Sequence, residues 1–161
     1  MTGKTYLSGG CQCGAIRYRA SDFGRSSLCH CRMCQKALGG PFAALVTAKD
    51  LEYTRGQPKH FQSSNKVKRG FCGECGTPLT FEFDGWAPDV TVTTMDDPER
   101  MPPVIQLATE MRLPWCERVI DMPGLSEDEI AKAAAHYAAI TSFQHPDHDT
   151  ASWPQEAKTD E

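Results

Sequence analysis

The sequence predicts a mainly β domain of short antiparallel strands followed by one C-terminal helix. Several short segments alternate apolar and polar residues with a period of two, Gly and Pro turns separate them, and a single capped stripe at helical spacing occurs late in the chain. With 161 residues and 40% hydrophobic content, the chain can bury one core but would be cramped as two full domains.

Taken in order, GAIRYRA places Ile16 and Tyr18 on one face and Arg17 and Arg19 on the other, the pattern of a half-buried strand. Phe42 to Ala48, Leu51 to Arg55 and His60 to Ser63 read as further strands. TPLTFEF turns Leu79, Phe81 and Phe83 inward with Thr80, Glu82 and Asp84 toward water, and DVTVTT alternates Val90 and Val92 with Thr91 and Thr93. Val104 to Ala108 is the last strand. Turns at Gly39-Gly40, Gly56, Asp84-Gly85 and Pro102-Pro103 punctuate the series, and no internal repeat is present.

The helix follows Gly124. Ser126 and Glu129 form an S-x-x-E capping box, and Leu125 can staple onto Ile130. Ile130, Ala133, Ala134, Tyr137 and Ile140 then share a face, which is expected to dock on the sheet. After Phe143 the text is polar and without apolar pattern, which predicts a disordered tail in which His145 and His148 bind metal only adventitiously. The expected organisation is a β domain over residues 1–122, an appended helix over 123–143 and a tail over 144–161.

Lys and Arg number 17 against 21 Asp and Glu, a net charge of -4 without a basic block, so no nucleic-acid surface is expected. Nothing near Met1 resembles a signal peptide, and no apolar run approaches the roughly 20 residues of a membrane span. The expectation is a cytoplasmic protein acting on small polar ligands.

That setting bears on the eight cysteines, because reduced, clustered thiols bind metal more often than they pair as disulfides. Cys11 and Cys13 form CxC, Cys29, Cys31 and Cys34 form CxCxxC, Cys72 and Cys75 form CxxC, and Cys116 stands alone. Zinc takes thiolates at the corners of a tetrahedron about 2.3 Å from the ion, and a CxC or CxxC turn offers two corners at once. Gly14, Gly73 and Gly76 flank these pairs and can take positive φ, wrapping the turn around an ion and aiming backbone N–H groups at the sulfurs.

Pairing Cys11 and Cys13 with Cys72 and Cys75 closes a structural four-sulfur site and leaves Cys29, Cys31 and Cys34 as a trio with one vacant corner, suited to a substrate sulfur. Spacing also permits a trio completed by a distant His, a site shared by Cys11, Cys13, Cys29 and Cys31, or iron in place of zinc. His30, between two ligand cysteines, points its side chain away from the side the sulfurs share on an extended CxC, and is left off the metal. Cys116 reads as an inert thiol, and Trp115 and Phe71 as packing residues that could also line a pocket. Arg32, Lys36 and Arg112 are the nearest cations by sequence to hold a substrate's carboxylates.

The ordered motifs CQCG, CHCRMC, GFCGECGTPL and TEMRLPW, spanning Leu7 to Trp115, resemble the glutathione-dependent formaldehyde-activating family, which includes the centromere protein V domain. The resemblance implies a zinc-stapled β-tent with a structural zinc on Cys11, Cys13, Cys72 and Cys75 and a catalytic zinc on Cys29, Cys31 and Cys34. It further implies addition of glutathione to formaldehyde to give S-hydroxymethylglutathione, a carbon–sulfur lyase-type activity. Family members commonly carry a His-Ile pair where this chain has Gln106 and Leu107. The alternative function class is a zinc-built binding module without turnover.

Overall fold

The structure, a computed structural model, describes residues 4–152. Strands β1 (Leu7–Gly10), β2 (Arg17–Ala20) and β5 (Glu52–Arg55) form a small antiparallel sheet in the order β1-β2-β5. The larger sheet contains β3 (Phe23–Cys29), β4 (Ala43–Ala48), β6 (Lys59–Gln62), β7 (Val67–Phe71), β8 (Pro78–Phe83), β9 (Asp89–Thr91) and β10 (Ile105–Leu107). Its order is β10-β3-β4-β9-β8-β7-β6, antiparallel throughout except that β10 runs parallel to β3. The described residues also form two α-helices, α1 (Arg32–Leu38) and α2 (Glu127–Ala138), and short 3-10 turns. The fold is mainly β, as the alternating pattern predicts.

The core lies between the two sheets, where Ile16 and, from β2, Tyr18 and Ala20 meet Val46, Ala48, Leu79, Val90 and Val92. Strand β4 faces both ways. Its Val46 and Ala48 enter this core, while Ala43 and Leu45 turn to the opposite face and pack with Cys34, flanked by Cys29, Cys31, Leu38 and Phe81. The sheet therefore puts its apolar core on one side and the cysteine trio on the other. Leu79 has no exposed surface, so Leu79→Ala is expected to cost about 2–5 kcal/mol through lost contacts and a residual cavity. Chemical denaturation of the metal-loaded variant measures it.

Some inward and outward assignments differ from the simple alternation. Arg17, expected outside, is buried, and its guanidinium is satisfied by ion pairs with Asp96 and with Asp149, the latter at 2.8 Å. Phe83, expected inside, is partly exposed against Trp86 at the sheet margin, and Thr80 is buried, its hydroxyl accepting from the Gly70 N–H at 3.0 Å. Strands β1, β3 and β7 escaped the periodicity reading: β1 carries two glycines, β3 has adjacent serines, and β7 carries an arginine in its inward register.

The C-terminal part corrects two expectations. Helix α2 is capped by the Ser126–Glu129 box, but its apolar stripe does not dock on the sheet; Ile130, Tyr137 and Ile140 are all more than half exposed. The segment from Arg112 to Ser126, built largely of a 3-10 stretch over Pro114–Asp121, carries the helix away from the domain. Residues 144–152, expected to be a disordered tail, instead lie on the small sheet. The His145 backbone N–H donates to Gln12 O at 2.7 Å, Arg17 Nε donates to Asp149, and Arg55 donates to Thr150 Oγ1 at 3.3 Å. Polar anchors of this kind leave no trace in apolar patterning. Residues 153–161 of the expected tail lie outside the described residues.

Candidate metal centre

Two turns of like construction bring four cysteines together. Cys11 N donates to Ile16 O and Gly14 N to Cys11 O, both at 3.0 Å; Cys72 N donates to Thr77 O and Gly76 N to Cys72 O, both at 2.9 Å. Gly14 and Gly76 take positive φ of 79° and 77°, the left-handed geometry that lets each turn close behind its second cysteine without a Cβ clash. Gly73, expected to share this role, does not have positive φ. Thr77 Oγ1 ties the turns together, accepting from Gln12 N at 3.0 Å and lying 3.0 Å from Cys75 Sγ.

The sulfurs of Cys11, Cys13, Cys72 and Cys75 all lie within 4.8 Å of one another. Cys11 Sγ and Cys13 Sγ are 3.6 Å apart, and Cys13 Sγ and Cys72 Sγ 3.9 Å. A tetrahedron of sulfurs about 2.3 Å from zinc has edges of about 3.8 Å, so this donor set fits such an ion. Backbone N–H groups are aimed at the sulfurs as expected, Ile16 N at Cys11 Sγ (3.2 Å) and Glu74 N at Cys72 Sγ (3.4 Å). Burial raises the Cys75 thiol, but hydrogen bonds led by those from Thr77 outweigh it and bring it down to about 6, a value that favours thiolate at neutral pH. The Cys11 thiol is raised, chiefly by burial, and a divalent cation supplies the charge a buried thiolate lacks.

The second cluster is built where β3 ends and α1 begins. Cys29 is the last residue of β3, Cys31 is the N-cap of α1 with its Sγ accepting from Cys34 N at 3.4 Å, and Cys34 lies one turn further on. Their sulfurs also lie within 4.8 Å of one another, and no fourth His, Cys, Asp or Glu among the described residues joins them. Burial raises the Cys31 thiol, but the N–H groups of the helix start and the neighbouring thiols outweigh it and leave it below its ordinary value. Burial pushes the Cys34 thiol up to about 12, against the opposing hydrogen bond and charge of Arg69. All eight cysteines are unpaired.

Arg69 is the residue that sequence reasoning missed. It projects from β7 and is 3% exposed, yet it pairs with no carboxylate among the described residues. Its Nη2 donates to Cys34 Sγ at 3.3 Å, its Nε donates to Ser63 Oγ at 3.1 Å, and its guanidinium lies 5.0 Å from the centre of the Phe81 ring. A buried cation requires a counter-charge, and the sulfur cluster is the group placed to provide it. The available signal was a lone arginine in the apolar register of VKRGF. Arg69→Met is expected to weaken metal retention by the trio about 10–100-fold, the range seen when a group supporting a metal ligand is removed. Competition against a chromophoric chelator reads this without an activity assay.

His30 stays out of the cluster, as expected of it. Its ring is 2% exposed, edge-on to Phe42, with Nε2 3.0 Å from Gln106 Oε1 and a buried Nδ1 that has no hydrogen-bond partner among the described residues. With Gln106 oriented to accept, Nε2 carries the proton. Gln106 thus braces the residue between two of the trio's cysteines. Gln35 Nε2 donates to His30 O (2.8 Å) and Met111 O (3.1 Å), pinning the chain after β10 beside α1.

Among the expected substrate cations, Arg32 bonds Gln35 Oε1 at 3.1 Å, Lys36 is exposed in the last turn of α1, and Arg112 is half-buried with Nη1 3.4 Å from Glu117. Gln35 brings the chain at Arg112 to α1, but none of the three touches the trio as Arg69 does. A cavity of about 220 Å³ lies between α1 and β6 to β8, lined by Leu38, Phe61, Arg69, Phe71, Pro78 and Thr80 among others. Phe71 lines it; Trp115 does not, and is 41% exposed. Cys116 is half-buried and outside both clusters, and His145 and His148 join neither.

A family model described as glutathione-dependent formaldehyde-activating enzyme matches residues 6–111, more than half of the chain and both cysteine clusters. The chain belongs to this family. It is also 34% identical over 77 residues to an uncharacterized lyase of Schizosaccharomyces pombe, a match covering 47% of this chain and 56% of that protein. The chain thus spans little more than half the length of that relative. A crystal structure of a Rhodobacter sphaeroides protein superposes with a TM-score of 0.48 at 23% identity, covering 62% of this chain and 98% of the other. No helix among the described residues is long and apolar enough to cross a membrane.

Proposed function

We propose that the protein is a zinc-dependent carbon–sulfur lyase-type enzyme that joins a thiol such as glutathione to an aldehyde such as formaldehyde. The observation that supports this reading is the asymmetry of the two clusters: four sulfurs converge in one and three in the other. In this reading Cys11, Cys13, Cys72 and Cys75 hold a structural zinc and Cys29, Cys31 and Cys34 a catalytic one. Bound to three thiolates, zinc supplies a Lewis-acidic position at which a thiol is favoured as thiolate or a carbonyl oxygen is polarised.

The reaction forms one S–C bond between the thiol sulfur and the aldehyde carbon while the C=O π bond breaks, and the thiol proton ends on the oxygen. The chain's own groups bind and orient. Arg69, anchored on Ser63 and Phe81, offsets the negative charge at Cys34 and keeps a cation where a second anionic sulfur must approach. The cavity beside it has room for part of a small substrate, and Arg32, Lys36 and Arg112, which do not line it, are the candidates for the substrate's carboxylates. Eight unpaired cysteines suit a reducing, cytoplasmic setting.

The test is exchange-NMR measurement of the interconversion of glutathione plus formaldehyde with their adduct, with and without the metal-loaded protein. An exchange rate above background that disappears in Cys34→Ala supports the proposal. Equal rates in buffer, wild type and variant would remove the named activity and favour a binding module.

A further inference from the structure

Beyond the family-matched residues, the chain from Arg112 to Phe143 forms an arm whose apolar side chains touch little of their own domain. Ile120 is 91% and Phe143 83% exposed, and Met122, Leu125, Ile130, Tyr137 and Ile140 are each more than half exposed. Helix α2 buries none of its residues. Both ends of the arm are fastened: Gln35 holds Met111 at its root, and the His145 backbone bonds Gln12 where the chain returns. Seven large apolar side chains, each more than half exposed on one short arm, make a patch beyond those of an ordinary monomer and of the size that one partner contributes to a stable interface, roughly 800 Å².

We propose that a second copy of this chain covers this surface, through antiparallel pairing of α2 with the partner's α2 about a two-fold axis between Ala133 and Ala134. The stripe is its own complement. Reading Ile130, Ala133, Ala134, Tyr137, the order is large, small, small, large, so a two-fold axis at its centre sets each Ile130 against the partner's Tyr137 and alanines against alanines. Small residues at the centre let two helix axes approach to about 8 Å. Each patch thus serves as its own partner, the isologous arrangement commonest among soluble dimers. Other proteins could cover an apolar helix, but they have no need of a stripe symmetric about its midpoint.

Sedimentation velocity on the full metal-loaded chain, from low to high micromolar, tests the pairing. The wild type is expected to be a dimer. Ile130→Glu and Tyr137→Lys, both on an exposed face, are each expected to weaken self-association at least tenfold with metal content and circular dichroism unchanged. Mixing the two variants is expected to restore a heterodimer, because one contact then pairs opposite charges while the other keeps Tyr137 against the partner's Ile130. A wild type monomeric at every concentration, a dimer indifferent to both substitutions, or failure of the mixture to associate would overturn the proposal.

Discussion

Cys72→Ser is expected to abolish cooperative folding. Cys72 is 1% exposed and sits where the turn after β7 meets the turn carrying Cys11 and Cys13, far apart in sequence. Removing its sulfur takes one corner from a four-sulfur site and leaves the other three as uncompensated thiols in a site shaped for an ion. Structural zinc contributes apparent free energies of about 10–16 kcal/mol in small zinc-built units, whereas a whole domain is stable by only about 5–15 kcal/mol. The loss is therefore comparable to the entire stability. Thermal unfolding followed by circular dichroism should show a broad or absent transition, and elemental analysis should find less than half the wild-type metal.

Cys31→Ser is expected to do the opposite: abolish activity and leave the fold in place. Cys31 caps α1, its Sγ accepting from Cys34 N, and serine is among the best residues at an N-cap, so the helix start survives with a change of about 1 kcal/mol or less. The cluster is on the outer face of the sheet, separated by β4 from the main core. Losing one of only three protein ligands should lower metal content from two ions per chain to one and reduce turnover on the order of 100-fold or more, beyond what supporting groups alone contribute. Metal analysis and denaturation on the same preparation separate the outcomes. An unfolded Cys31→Ser protein would mean the trio is a second structural staple.

The cysteine groupings were legible because metal ligation is written in local spacing: CxC and CxxC turns bring sulfurs to a common side whatever surrounds them, and glycines mark where such turns close. Cys11, Cys13, Cys72 and Cys75 do converge, and so do Cys29, Cys31 and Cys34. Arg69 was not legible, because its relation to Cys34 arises only when β7 pairs with β8 and the sheet brings both under α1. The link from Gln106 to His30 likewise depends on the parallel pairing of β10 with β3. The capping box of α2 was read correctly from four residues, whereas the destination of its stripe was not, since an amphipathic pattern states that a face wants covering without saying by what. The segment around His145 failed the other way: its anchors are a backbone amide, two arginines and an aspartate, which a hydropathy reading discards.

The central claim is that the trio holds an ion from three corners and leaves the fourth open to a thiol. Cobalt(II) substitution tests it most directly, since the visible bands of tetrahedral cobalt–thiolate centres respond to each change of ligand. Two cobalt ions per chain are expected, with glutathione altering the spectrum of one and leaving the other unchanged, and with no response in Cys31→Ser. One ion per chain, or two ions that both ignore glutathione, would contradict it.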